Sequence, residues 1–125
     1  MYLLDTNILI YYLNDNVPEN QSEKLNNIIK NHFNISVITK MEFLGFRNYS
    51  SHAFRMAKEF INYANCYNLN EEIVEMVITI RRKQKIKLPD AIIAATALIN
   101  KSTLVTRNTI DFKDIEEIHI YNPFK

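Results

Sequence analysis

Short apolar runs alternate along the chain with longer stretches whose apolar residues recur every three or four positions. Tyr2-Leu3-Leu4 is too short for a helix and reads as a buried strand. Asp5 and Thr6 then cap a helix through about Asn14. Pro18 suits the first turn of a second helix, to about Asn31. Asn34-Ile35-Ser36-Val37 reads as a second strand, and Thr39 opens a helix through about Phe46. Ser51 opens a longer helix with Phe54, Ala57, Ile61 and Ala64 at helical spacing. Tyr67 to Leu69 reads as a short strand. Asn70 caps a helix with Ile73, Val77 and Ile80 on one face. Pro89 opens the next, Asp90 to Asn100, which is nearly all apolar and therefore expected to lie against a sheet. Thr103-Leu104-Val105 is a strand, Asn108 caps a short helical turn, and Ile118-His119-Ile120 closes the sheet. Strands alternating with helices predict an α/β sandwich around a mostly parallel sheet.

Composition narrows this picture by exclusion. The 125 residues suit one domain, 1–125, large enough to bury a core. With 47% hydrophobic and 23% charged residues, a disordered tail is excluded. Cys66 is the only cysteine, so no intrachain disulfide exists and a reducing compartment is expected. The N-terminal Met-Tyr-Leu-Leu-Asp has no basic leader, and the longest unbroken apolar run, Ile8 to Leu13, is too short to span a bilayer. The expectation is a cytoplasmic protein without a membrane partner. Gly45 is the only glycine, which removes glycine-rich phosphate loops. A formal net charge of +1 neither demands nor forbids a nucleic-acid partner.

The candidate chemistry is acidic. Asp5 follows the first strand, Glu42 lies just after the second, and Asp111 lies just after the Leu104 strand. Asp90 sits in the first turn of the most apolar helix. Strands of a parallel sheet end at one edge, where ligands bind, so three of these acids converge by topology. Asp90 joins them if its helix starts there. Each acid alone also fits a bland role. Thr39-x-x-Glu42 is a capping box, Asn108-x-x-Asp111 resembles one, Asp90 is a first-turn acid, and Asp5 can be an N-cap. Together they repel: two unit charges ~4 Å apart cost about 4 kcal/mol at an effective dielectric near 20. A divalent cation relieves that cost, and an all-carboxylate site suits Mg²⁺ or Mn²⁺ rather than zinc.

These residues carry a resemblance. Leu4-Asp5-Thr6-Asn7, Ile35 through Glu42, Leu88-Pro89-Asp90 through Ala97, and Leu104 through Asn108 with Asp111-Phe112 resemble, in order, the four acidic blocks of PIN-domain ribonucleases. Asn122-Pro123-Phe124 is similar to the toxin branch. The whole resembles a VapC-type toxin of a type II toxin–antitoxin pair. The resemblance implies a PIN-like three-layer α/β/α sandwich and Mg²⁺-dependent cleavage of an RNA substrate, with Mn²⁺ as a substitute. It implies that Asp5, Glu42, Asp90 and Asp111 form the acidic pocket, with either Asn108 or Asp111 filling the fourth place. It further implies a cognate antitoxin, a homodimer, and contact with DNA only through the antitoxin.

Thr6, Asn7, Thr106 and Asn108 set short polar side chains beside the acids, where they can orient carboxylates, contact phosphate or cap helices. Arg81, Arg82, Lys83, Lys85 and Lys87 precede Asp90 and suit either RNA phosphates or a solvated helix end. Arg81 is the residue favoured for RNA, because the family often has a basic residue there. Tyr11, Tyr12, Phe43 and Phe46 can stack bases, although helical apolar residues more often pack a core or a dimer. His32, His52 and His119 lie in unrelated places, and Cys66 reads as packing.

Three rival readings fit the sequence less well. A catalytically silent PIN domain, binding RNA or protein, is opposed by the intact acidic set. A receiver-type domain needs adjacent acids and a phosphoacceptor Asp mid-chain. A haloacid-dehalogenase-type phosphatase needs Asp-x-Asp after the first strand, where Asn7 stands. Only the nuclease reading predicts metal-dependent RNA fragments.

Overall fold

The computed structural model describes all 125 residues. Five short strands and seven helices alternate: β1 (Tyr2–Leu4), α1 (Thr6–Leu13), α2 (Glu19–Asn31), β2 (Asn34–Ser36), α3 (Val37–Leu44), α4 (Ser51–Ile61), β3 (Asn65–Tyr67), α5 (Glu71–Lys83), α6 (Leu88–Ile99), β4 (Thr103–Val105), α7 (Thr109–Phe112) and β5 (Ile120–Tyr121). Caps explain several boundaries. Asp5 accepts the Thr6 N–H, Ser36 that of Ile38, Ser50 that of Ala53, and Asn70 that of Ile73.

Every strand pairing is parallel. β4 lies between β1 and β5, with Leu3 opposite Leu104 and Val105 opposite Tyr121, while β2 pairs with β3. β2 packs beside β1 without a backbone ladder. The side-chain amide of Asn34 fills that seam. Its Nδ2 donates to the Tyr2 carbonyl at 2.9 Å, and its Oδ1 accepts from Asn65 at 3.1 Å.

Successive strand side chains point to opposite faces, and the core divides accordingly. Leu3 and Leu104 bury against α5, α6 and Phe112. Leu4 and Val105 bury with Ile8, Leu9, Leu25, Ile28, Phe43 and Ile61 on the other side. The result is the expected α/β/α sandwich. In α6 every residue from Ala91 to Ala97 is buried, as its composition requires. No helix is long and apolar enough to cross a membrane.

α4 stops at Ile61, short of the expected Ala64, and three other elements are displaced. α3 begins at Val37 rather than Thr39, because Ser36 caps it and ends β2 one residue early. The third strand is Asn65–Tyr67, two residues before Tyr67–Leu69, held by pairing with β2. The last is Ile120–Tyr121, later than Ile118–Ile120, in register with Leu104 and Val105.

Candidate active site

β1 and β4 of one parallel sheet and β2 packed beside β1 end close together, and Asp5, Ser36 and Thr106 are the first residues beyond or at those strand ends. Asp5 is the most deeply placed acid, only 5% exposed. Its backbone N–H donates to the Val105 carbonyl at 2.9 Å, extending the β1–β4 pairing one step. Its carboxylate is held by three donors. Oδ1 accepts the Thr6 N–H at 2.8 Å; Oδ2 accepts the Thr106 hydroxyl at 2.8 Å and the Asn7 amide at 3.2 Å. A carboxylate oxygen has two lone-pair sites, so Oδ2 is filled and Oδ1 keeps one acceptor position open.

A second chain of hydroxyls fixes Glu42. Thr6 Oγ1 lies 2.6 Å from Glu42 Oε1 and 3.2 Å from Thr39 Oγ1. A hydroxyl has one proton, and the carboxylate takes that of Thr6, so the buried Thr39 completes the chain from behind. Thr39 is not a helix cap. The capping-box account of Glu42 therefore fails, and its side chain is turned to Thr6 across the seam between β2 and β1 instead. Asn7 bridges as well: its Oδ1 accepts the Arg107 N–H at 3.3 Å. Thr106 Oγ1 accepts the Asn108 N–H at 3.0 Å, while the Asn108 side chain makes no cap bond.

Electrostatics tie the four acids together. Burial pushes the Asp5 carboxyl up to about 6, against the donors Thr106 and Thr6 that pull it down; the charges of Asp90 and Glu42 add to the rise. Asp90, in the first turn of α6 and half-buried, is also raised. Burial is the largest cause, followed by the charges of Asp111 and Glu42, and Lys87 opposes them. Asp111 thus enters the group through Asp90, from an exposed position on α7. Glu42 is likewise exposed at the rim. No three His, Cys, Asp or Glu side chains converge tightly enough to enclose an ion by direct contact.

Arg81 is exposed in the last turn of α5 and borders an apolar groove with Leu69, Ile78, Leu88 and Ile92. Of the basic run, Lys87 is the residue whose charge reaches Asp90. Lys87 stands at the N-terminal boundary of α6, two residues before the expected start, and among five cations in seven residues the sequence gave no reason to single it out. Thr39 was missed for another reason: its spacing to Glu42 imitates a capping box. The three histidines are exposed and Cys66 is half-buried beside the second core cluster. Phe43 is core, Tyr12 stacks on Phe60, and Phe46 is exposed against Tyr49.

The family model described as PIN domain matches residues 2–118. No protein of curated function matches the chain. Among solved structures, the chain is similar to one in a toxin–antitoxin complex from Klebsiella pneumoniae, at 32% identity and TM-score 0.80 over 100% of this chain and 99% of that one. It is similar to a chain of VapBC-1 from nontypeable Haemophilus influenzae, at 26% identity and TM-score 0.80, covering 99% and 98%. A chain of VapBC2 from Rickettsia felis, bound to a DNA fragment from their promoter, is 25% identical with TM-score 0.79, covering 97% of each.

Proposed function

The chain belongs to the PIN domain family, and on that footing we propose that it is a metal-dependent endoribonuclease serving as the toxin of a VapC-type toxin–antitoxin pair. The observation that carries the reading is the Asp5 carboxylate. It is buried, pinned by three donors and set against other acids, so its ionised form is costly until a cation joins it. An ordinary helix cap has no need of that arrangement.

The donor set fits a hard cation. It consists of four carboxylates with hydroxyl and amide oxygens nearby, and no imidazole or thiol stands among them, which suits Mg²⁺ or Mn²⁺. The spread of the acids suits Mg²⁺ in particular, because that ion keeps several waters and takes one or two carboxylates directly. Asp5, through the open position on Oδ1, and Asp90 would hold it; Glu42 and Asp111 would act through its waters. When bound, such an ion makes water a stronger acid and offsets charge on phosphate oxygens. The chain's own residues do the positioning. Thr106, Asn7 and the Thr6 N–H prevent Asp5 from rotating, and Thr6 with Thr39 holds Glu42 at a fixed distance from it. Arg81 is our candidate for an RNA phosphate contact outside the acids.

The likeness to toxin–antitoxin complexes supports a cognate antitoxin as protein partner, with DNA reached only through it. A homodimer in the cytoplasm belongs to the same reading. The test is incubation of RNA with wild type and Asp5→Asn in Mg²⁺, Mn²⁺ or EDTA. Fragments are expected only from wild type with metal. RNA left whole in every arm, or cut equally by the variant, would sink the assignment.

A further inference from the structure

We propose that Arg107 grips the RNA phosphate adjoining the scissile one, and that Tyr11 and Phe124 hold its guanidinium ready for it; the inference rests on the ribonuclease reading. Arg107 directly follows Thr106, whose hydroxyl donates to Asp5, and its own N–H donates to Asn7, whose amide also donates to Asp5. Its backbone is therefore fixed to the acidic site from two sides. Its guanidinium carbon lies 5.0 Å from the centre of the Tyr11 ring and 4.3 Å from that of Phe124. The two rings pack on each other, 4.9 Å apart and tilted by 60°.

This is an ordered cation without an anion. Arg107 is exposed, its side chain donates no hydrogen bond, and the one ion pair in the molecule joins Lys83 to Glu116. A guanidinium packed against aromatic rings keeps its in-plane N–H donors free, and that fork matches the two oxygens of a phosphate. Cation–π contact also removes the rotamer entropy that a free arginine loses on binding. Tyr11 stands four residues beyond Asn7 on α1, ~6 Å further along the helix axis, so the ring that holds the guanidinium is set one turn beyond the residue whose amide holds Asp5. That offset separates it from the scissile position. A strand with one phosphate at Asp5 must carry its next phosphate close by, whereas a protein carboxylate is under no such constraint. Phosphodiester is the anion the geometry favours.

The test uses a short single-stranded oligoribonucleotide with wild type, Arg107→Ala, Arg107→Lys, Phe124→Ala and the double variant Arg107→Ala/Phe124→Ala. Kd is measured in EDTA across a salt series, and kcat and KM in Mg²⁺. Arg107→Ala should weaken Kd and raise KM about tenfold, as for one charge-assisted contact, with kcat changed far less. The slope of log Kd against log salt should fall by about 0.7, one phosphate on a single strand. Arg107→Lys keeps the charge without the fork and should recover the salt slope but only part of the affinity. Phe124→Ala should weaken Kd about two- to fivefold by freeing the guanidinium, and should add nothing in the Arg107→Ala background. Melting curves identify a variant that fails to fold, in which case the Lys substitution decides.

Unchanged Kd and salt slope in Arg107→Ala would overturn the proposal, even if wild type cuts RNA. Additive losses in the double variant would overturn the part given to Phe124. A polyglutamate chain that displaces the RNA from wild type, but not from Arg107→Ala, would show a general anion site and refute the phosphate assignment. If the RNA binds as described and wild type fails to cut it in Mg²⁺, the ribonuclease reading falls and the binding result stands.

Discussion

Asp5→Asn should destroy metal-dependent activity and yet make the metal-free protein harder to melt. Raising a carboxyl from 3.8 to about 6 corresponds to about 3 kcal/mol set against its ionised form in the fold. Asn is nearly isosteric and carries no charge, so it escapes that cost. It does not escape all others. Its oxygen can still accept the Thr6 N–H, but its amide replaces Oδ2, which accepts from both Thr106 and Asn7. The Thr106 hydroxyl can rotate to accept; the Asn7 amide, fixed through Arg107, is left facing another donor. One lost hydrogen bond costs roughly 1 kcal/mol. The net gain near pH 7.5 is about 1–2 kcal/mol, or ~4–8 °C in Tm for a domain of this size.

The pH dependence fixes the cause. The folded-state value lies above the unfolded one, so protonated Asp5 favours the fold. That contribution is fully present below 3.8 and is lost as pH rises through about 6. Asn does not titrate, so its advantage should grow across the same window, and near pH 4 the lost hydrogen bond should leave it slightly the less stable of the two. Saturating Mg²⁺ should reverse the order at pH 7.5, since binding at 100 times Kd stabilises wild type by about 2.7 kcal/mol. The assay is a set of paired thermal melts from pH 4 to 8, in EDTA and in Mg²⁺. If Asp5→Asn melts lower in EDTA at pH 7.5, or if the two curves run parallel, Asp5 is an ordinary ionised cap and the reasoning fails.

Three further outcomes follow from the same contacts. Asp90→Asn should raise Tm in EDTA by less than Asp5→Asn, because Asp90 is only half-buried, and it should bring the Asp5 titration to lower pH by removing a repelling neighbour; NMR of the Asp5 carboxyl carbon reads this directly. Thr106→Val preserves shape but removes a buried donor from Asp5 Oδ2, so the acid limb of the cleavage-rate profile should move to higher pH, and an unmoved limb would mean that Asp5 does not titrate in the reaction. Gly45→Ala should lower Tm through a cost of about 1–3 kcal/mol, since a Cβ there would meet the Met41 carbonyl oxygen at 2.5 Å while the backbone angle itself is ordinary; an unchanged melt would show that the end of α3 gives way freely.

Much of this was legible in the residues because local and tertiary signals agreed. β1 and β4 are short apolar runs, α1 and α5 combine a helical period with a capping side chain, and all four stand where expected. The misplacements occur where the signals conflict. Val37 and Ile38 are β-branched and prolong the strand pattern, but the Ser36 cap turns them into the first turn of α3. Asn65 has little strand preference, and it becomes the start of β3 by pairing with Asn34. At the site, the four acids were visible because strand ends have fixed places in a parallel sheet. The hydroxyl relay from Thr39 through Thr6, and the stack of Tyr11, Phe124 and Arg107, join residues with no common period, and only the folded chain brings them together.

The Thr106–Asp5 bond spans 101 residues. During synthesis at about 5–20 residues per second, the acid thus waits on the order of 5–20 s for the hydroxyl that orients it. β2 and β3 can pair once Tyr67 has emerged, but β1 has no ladder partner until β4 follows. Arg107 and Phe124 arrive later still. Between the synthesis of Asp5 and that of Thr106, the growing chain holds Asp5, Glu42 and Asp90 without the hydroxyl that orients Asp5.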